Sequence, residues 1–371
     1  IYGGSNQGGT VDAETEAWDG TSWTELTDLS AARNYSDGAG ISNADAICAG
    51  GYTTTTVATT EEWTSTPASE FSKITEGQLY FNSTTNTFKE TIRDIPSTSW
   101  ASGGTMNTGR FYAAGSGSSN TSVRIFAGGT STASTSVLNE SYNGTAFTED
   151  ADLNTTRDKT AGTGTLTLAL VTAGTDSNLA NVEAWNGSSW AETADINTGR
   201  RQGMGVGLAA PATIYAGGYT TTYTALVESW NGSSWTEVSD LNTARISGGA
   251  AGTQTEGLVF GGEPSTANTE SWNGTSWTEV NNLNTSRYFV AGSGTQTQAL
   301  AFGGFVSTDL ANTEFWNGTS WTELNDLSTA ARAASGKNSA TSALAAGGGP
   351  PATSQSEEWT AGLTNKTITT S

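Results

Sequence analysis

Apolar positions return in a fixed order along this chain, and one unit beginning at Arg245 displays it. RISGGAAGTQ carries side chains small enough for a strand packed close to an axis. EGLVFGG is a wholly apolar strand ending in two glycines, and NTESW then alternates polar with apolar, the period of a half-buried strand. Asn273-Gly274 predicts a type I′ hairpin turn, TSWTEV an outer strand, and NNLNTSR the passage into the next unit. A lone four-stranded sheet of this kind buries neither face, so such units have to stack.

The unit recurs. Its first aromatic falls at Trp18, Trp63, Tyr142, Trp185, Trp230, Trp272, Trp316 and Trp359, in steps of 42 to 45 residues apart from the jump between Trp63 and Tyr142. That period fits a propeller blade of four short strands and is too long for a leucine-rich repeat. Glycine pairs precede the aromatics at Gly3-Gly4, Gly50-Gly51, Gly128-Gly129, Gly217-Gly218, Gly261-Gly262, Gly303-Gly304 and Gly347-Gly348, with one degenerate copy, VTAGT, at Val171–Thr175. The order of glycine pair, aromatic and tryptophan resembles the kelch family of β-propellers. The resemblance implies an all-β, kelch-like β-propeller of four-stranded blades, and no particular activity, because one propeller fold serves many roles.

Residues 65–98 interrupt the period with TEGQLYFNSTTNTFKETIRD, which reads as a separate hairpin. After it, STSWASGGTMNTGR offers an outer strand at Trp100 with no preceding partners, while the last unit stops after its third strand at Trp359. Pairing these two ends closes a ring and removes its exposed edges. We therefore expect a six-bladed propeller over about 99–360 within a domain 99–371 that ends in a C-terminal tail. Residues 65–98 are then a linker with a β-hairpin, and residues 1–64 the terminal blade and a half of a preceding propeller. One eight-bladed ring, with 65–98 as an inserted loop, is the alternative; seven blades is a third count. The opening IYGG, without methionine, reads as a fragment or processed product.

Composition sharpens this picture. Among 371 residues, 46 glycines and 14% charged residues would suit a disordered polymer, but 13 tryptophans would not. A net charge of −21 argues against nucleic acid and anionic membrane surfaces as partners. No apolar run approaches the ~20 residues of a membrane span, so membrane insertion is not expected. The chain has no histidine, which removes histidine-ligated zinc or copper and the Ser-His-Asp triad. Cys48 is single, so no internal disulfide can form. No metal site and no cofactor is assigned; abundant carboxylates leave calcium open, yet no EF-hand or RTX calcium spacing occurs.

Catalytic motifs fail one by one. Galactose oxidase, a kelch-fold enzyme, needs copper-binding histidines. AWDGTSW at Ala17–Trp23 has the flavour of a sialidase Asp-box without its spacing. GSGSSNTS at Gly115–Ser122 lacks the lysine of a phosphate loop. NGT and NGS at Asn143, Asn186, Asn231, Asn273 and Asn317 match glycosylation acceptors, but the hairpin turn itself calls for Asn-Gly. A glutamate precedes each first aromatic by two residues, as at Glu228 and Trp230, Glu270 and Trp272, Glu314 and Trp316, so the two share a strand face. One arginine per unit, among them Arg245, Arg287 and Arg332, opens the innermost strand. We expect structural Glu–Arg pairs, with each tryptophan buried between blades near such an arginine. No catalytic residue is assigned.

What remains is surface. Loops after the glycine pairs differ between units (YTTTTVA, YTTTYTAL, FVSTDLA) and gather on one end of a propeller, which makes Tyr52, Tyr219, Tyr223 and Phe305 the candidate binding residues. EGQLYFNSTTNTFKE at Glu76–Glu90 resembles a hairpin module of tail-fibre and other virion proteins of tailed phages, and LNTAR units with EEWT endings resemble structural proteins of marine bacteriophages. This implies a non-enzymatic virion component, a fibre, neck or decoration protein. Its partners would be other virion proteins and a host-surface glycan or protein. A secreted or cell-surface bacterial adhesin is the second reading, and a carbohydrate-active enzyme the third.

Overall fold

The computed structural model describes residues 2–5, 10–18, 21–42, 45–64, 77–82, 87–93, 95–131, 134–332, 334–335 and 339–367. The chain divides into a smaller unit, residues 1–78, and a larger one, residues 79–371. Described strands of the smaller unit form two three-stranded antiparallel sheets, Tyr2–Ser5 with Val11–Trp18 and Trp23–Glu25, and Asp37–Ser42 with Asp45–Ala49 and Thr60–Thr64.

The larger unit is a six-bladed β-propeller, and every blade is a four-stranded antiparallel sheet. In the fourth blade the strands are Gly249–Gly252, Gly257–Phe260, Thr269–Trp272 and Trp277–Val280, each bonded to the next in sequence. The glycine- and alanine-rich first strands touch one another around the axis, and those of the first and sixth blades also meet. Their small side chains allow this approach: a Cβ on Gly292 would stand 2.5 Å from the main chain of Ala250.

The ring closes as the unpaired strand demands. The sixth blade runs Ala334–Ser335, Ser342–Ala346, Ser356–Thr360 and then Trp100–Ser102, with Trp359 opposite Trp100. Six blades, not eight, therefore complete the circle. The hairpin Leu79–Asn82 and Thr87–Arg93 gains a third strand, Leu363–Thr367, from the end of the chain. Both ends of the propeller sequence are thus tied twice, once in the sixth blade and once in this outer sheet.

Six apolar clusters hold the ring, one for each pair of adjacent blades. Trp272 and Trp277 pack on Val206, Ile214 and Val227 of the preceding blade, and Trp316 and Trp321 on Leu258 and Phe260. Trp230, Trp272 and Trp316 are all buried, as the alternation with glutamate requires. An aromatic partner accompanies each burial. Each of these rings lies 5.2 to 5.5 Å from the second tryptophan of its own hairpin. Arg124, which is not a repeat arginine, lies 4.0 Å above the Trp185 ring. At the closing seam Tyr142 and Phe147 replace the tryptophan pair against Leu344 and Ala346. There the Tyr142 hydroxyl donates to Glu358; burial first, and that bond second, push its pKa up.

The hairpin turn is not type I′. Trp272 pairs with Trp277, so four residues, Asn273 to Ser276, make the loop. Type I′ needs positive φ at both central residues; Gly274 has φ +89°, whereas Asn273 does not have a positive φ. Asn273 acts through its side chain instead, its Oδ1 accepting from the N–H groups of Thr275 and Ser276 at 2.9 Å each. Gly274→Val is expected to destabilise the propeller by roughly 1–3 kcal/mol, because a β-branched residue is strained at this φ. Urea unfolding measures it, and an unchanged midpoint would refute the assignment.

Candidate binding face at the propeller mouth

The linkers entering five of the six blades build an ion pair before they build the mouth. Arg110–Glu140, Arg157–Glu183, Arg200–Glu228, Arg245–Glu270 and Arg287–Glu314 meet at 2.5 to 2.7 Å, with both side chains buried. In each the arginine leads the first strand and the glutamate stands on the third strand of the same blade. Main-chain carbonyls take the remaining guanidinium hydrogens: Arg245 donates to Gly261 O at 3.0 Å and Asn268 O at 2.7 Å. Burial pulls the pKa values of Arg110, Arg157 and Arg245 down, and the glutamates oppose that shift. The smaller unit repeats the device with Arg33 and Glu61. These pairs fix the blade entrance; Nε also finds a carbonyl in Arg157, Arg200 and Arg245, whereas that of Arg110 and of Arg287 is buried without a partner.

Arg332 breaks the expected pattern. It does not join Glu357; its Nε lies 2.7 Å from Asp309 Oδ1, and its guanidinium stacks 3.7 Å above the ring of Phe305. The physical reason is spacing. Arg332 stands five residues after Leu327, whereas Arg245 and Arg287 stand four after Leu241 and Leu283.

Two residues beyond the repeat arginine the chain turns left-handed. Tyr112, Lys159, Gln202, Ser247 and Phe289 hold φ between +52° and +58°. Successive blades are linked there through the main chain: Lys159 N donates to Tyr112 O, Gln202 N to Lys159 O, Ser247 N to Gln202 O and Phe289 N to Ser247 O, at 2.7 to 3.1 Å. Four bonds thus join five of the six blades, and each joined residue holds a positive φ for which its side chain has little taste. Their side chains line a cavity of about 110 Å³ at the mouth, to which Arg332 also contributes.

The mouth is aromatic on one side and charged on another. Tyr112 and Phe289 lie 5.1 Å apart, and Tyr288 reaches both Phe289 and Phe305. Lys159 Nζ bonds Asp176 Oδ1 at 2.7 Å and lies 5.7 Å from the Tyr112 ring. The Lys159 ammonium holds the Asp176 carboxyl below its ordinary range. Burial pushes Asp158 up, with Lys159 offsetting part of it, and Asp158 Oδ1 has no hydrogen-bond partner.

The loop residues singled out from sequence fall in separate places. Tyr219 and Tyr223 stack edge to face at 6.0 Å, with Arg201 4.3 Å above Tyr219. The Tyr223 hydroxyl donates to Glu263 at 2.8 Å, which raises its pKa. Phe305 is covered on one face by Arg332. Tyr52 belongs to the smaller unit and is exposed. The five mouth residues were missed, although a readable signal existed: the second position after the arginine differs among the five units from Arg110 to Arg287, as Tyr, Lys, Gln, Ser and Phe. No protein-family model matches the chain, and no curated protein matches it in sequence.

Proposed function

We propose that the chain is a non-enzymatic recognition module, a structural or attachment protein of a tailed-phage virion whose propeller mouth engages a host-surface glycan or protein. The carrying observation is a contrast within the repeat. Packing residues such as Glu270, Arg245 and Trp272 recur nearly unchanged, while the position that lines the mouth carries a different side chain in each of five blades. A rigid ring bearing unlike side chains at one end suits recognition. Tyr112, Phe289 and Tyr288 give flat apolar faces for the C–H side of a sugar or an apolar side chain, and Lys159, Gln202 and Ser247 give polar partners. The kelch-like repeat order and the phage-like hairpin at 76–90 add the virion setting.

Lys159→Ala and the double variant Tyr112→Ala/Phe289→Ala keep the backbone demand constant, since alanine at φ near +53° is no worse placed than the residue replaced. On a glycan array and on host cells we expect binding to weaken tenfold or more, the scale of a central contact residue. Melting should stay near that of the wild type. Undiminished binding by the folded double variant would place recognition elsewhere, and sugar release in the same assay would overturn the non-enzymatic reading. Co-purification with capsid or tail proteins separates the virion setting from that of a bacterial adhesin.

A further inference from the structure

The sixth blade keeps the receptor for a repeat arginine but not the arginine. Elsewhere a glycine that follows the second strand of the preceding blade donates its N–H to the arginine carbonyl, as Gly218 does to Arg245 and Gly262 to Arg287, both at 2.9 Å. In the sixth blade Gly304 donates instead to Ala331, at 2.8 Å. Ala331 therefore holds the arginine's place in the main chain, and a methyl group stands where the long side chain would begin. Arg332 is directed to Asp309 and the Phe305 ring.

A cavity of about 190 Å³ opens at this point, lined among others by Thr329, Ala331, Gly347, Gln355 and Glu357. The register makes these the counterparts of the groups around Arg245. Ala346 pairs with Ser356 as Phe260 pairs with Thr269, so Gly347, Gln355 and Glu357 match Gly261, Asn268 and Glu270. Those three bind the Arg245 guanidinium, and Thr243, the match of Thr329, accepts from Arg245 Nε. Glu357 is 8% exposed, and its carboxylate accepts main-chain N–H groups of Ser328 at 2.8 Å and Thr329 at 3.0 Å, with no cation paired to it among the described residues. The loss is not due to Ser328 standing where other linkers have Asn, because Ser30 stands there in the smaller unit and Arg33 still reaches Glu61.

We propose that this cavity is a binding site for a guanidinium group, as carried by an arginine side chain from outside the chain. The carboxylate and three carbonyl-bearing positions are arranged for the planar fork of a guanidinium, not for a compact ammonium. Size agrees: a cavity on the order of 150 Å³ accommodates benzene, so this one can take a guanidinium with its adjoining methylenes. The inference does not depend on the reading of the mouth.

The experiment is a calorimetric and thermal-melting titration of the full chain with N-acetyl-arginine amide, using the uncharged N-acetyl-citrulline amide as control. The arginine amide should bind saturably and raise the melting temperature, and the citrulline amide should do neither. Glu357→Gln should weaken binding about tenfold or more. Ala331→Arg should return the repeat's own guanidinium to the site, abolish binding and melt above the wild type without ligand. Equal responses from the wild type and Ala331→Arg, or from the two amides, would overturn the proposal. So would binding seen only in Arg332→Ala, because the chain's own arginine would then fill the site. An arginine-bearing peptide that binds more tightly than the amide would mark a protein segment as the source; equal affinity would mark a free guanidine.

Discussion

Glu270→Ala is expected to destabilise the propeller by about 3–5 kcal/mol, the cost of stranding one partner of a buried ion pair. The argument lies in what stays behind. Arg245 is fully buried, and without the carboxylate its guanidinium keeps only the carbonyls of Gly261, Asn268 and Thr243. Glu270 also receives the main-chain N–H of Asn242 at 2.7 Å and of Thr243 at 3.2 Å, and both donors lose their acceptor. Water cannot replace it between packed strands. Urea unfolding of matched variants reads the effect. Glu61→Ala in the smaller unit should cost less, because Glu61 is 23% exposed and its loss is partly made good by solvent. Glu357→Ala should likewise cost less than Glu270→Ala, since no guanidinium is left buried beside it. Equal costs for Glu270→Ala and Glu357→Ala would mean that the cation contributes nothing.

The extent to which sequence anticipated structure depends on which force set each feature. Ring closure was legible because an unpaired strand at Trp100 and a missing strand after Trp359 are complementary deficits, and β-edges must be filled. The shared face of Glu270 and Trp272 was legible because strand alternation has only two outcomes. The turn was not: Asn-Gly fits both a two-residue type I′ turn and a four-residue loop. The pairing of Trp272 with Trp277, not the dipeptide, chose between them. The mouth was hidden for a related reason. Nothing intrinsic to Tyr112 or Phe289 favours positive φ; the repeat's entry turn carries it, and Tyr35, two residues after Arg33 in the smaller unit, adopts it too. Arg332 is the contrary case, since its late position after Leu327 was in plain view and one residue of spacing redirects the whole side chain.

Trp272→Ala should be as damaging as the loss of Glu270, about 3–5 kcal/mol, but through a different term. The indole is buried between the third and fourth blades on Val206, Ile214, Ala216 and Val227, and its Nε1 donates to Gln254 O at 2.9 Å. Truncation leaves a cavity between two sheets whose separation is held by the other five interfaces, so the gap cannot collapse. It also frees Trp277, whose ring lies 5.2 Å away, from its partner. In a closed ring each blade is gripped on both sides, so the loss should lower the midpoint of one cooperative transition without dividing it. The second half of the test is recognition. While the variant is still folded, the mouth residues Tyr112, Lys159 and Phe289 should keep their places, and glycan or host-cell binding should match the wild type. Normal stability with abolished binding would reverse the assignment, making the recurring tryptophan hairpin the recognition element and the mouth mere scaffold.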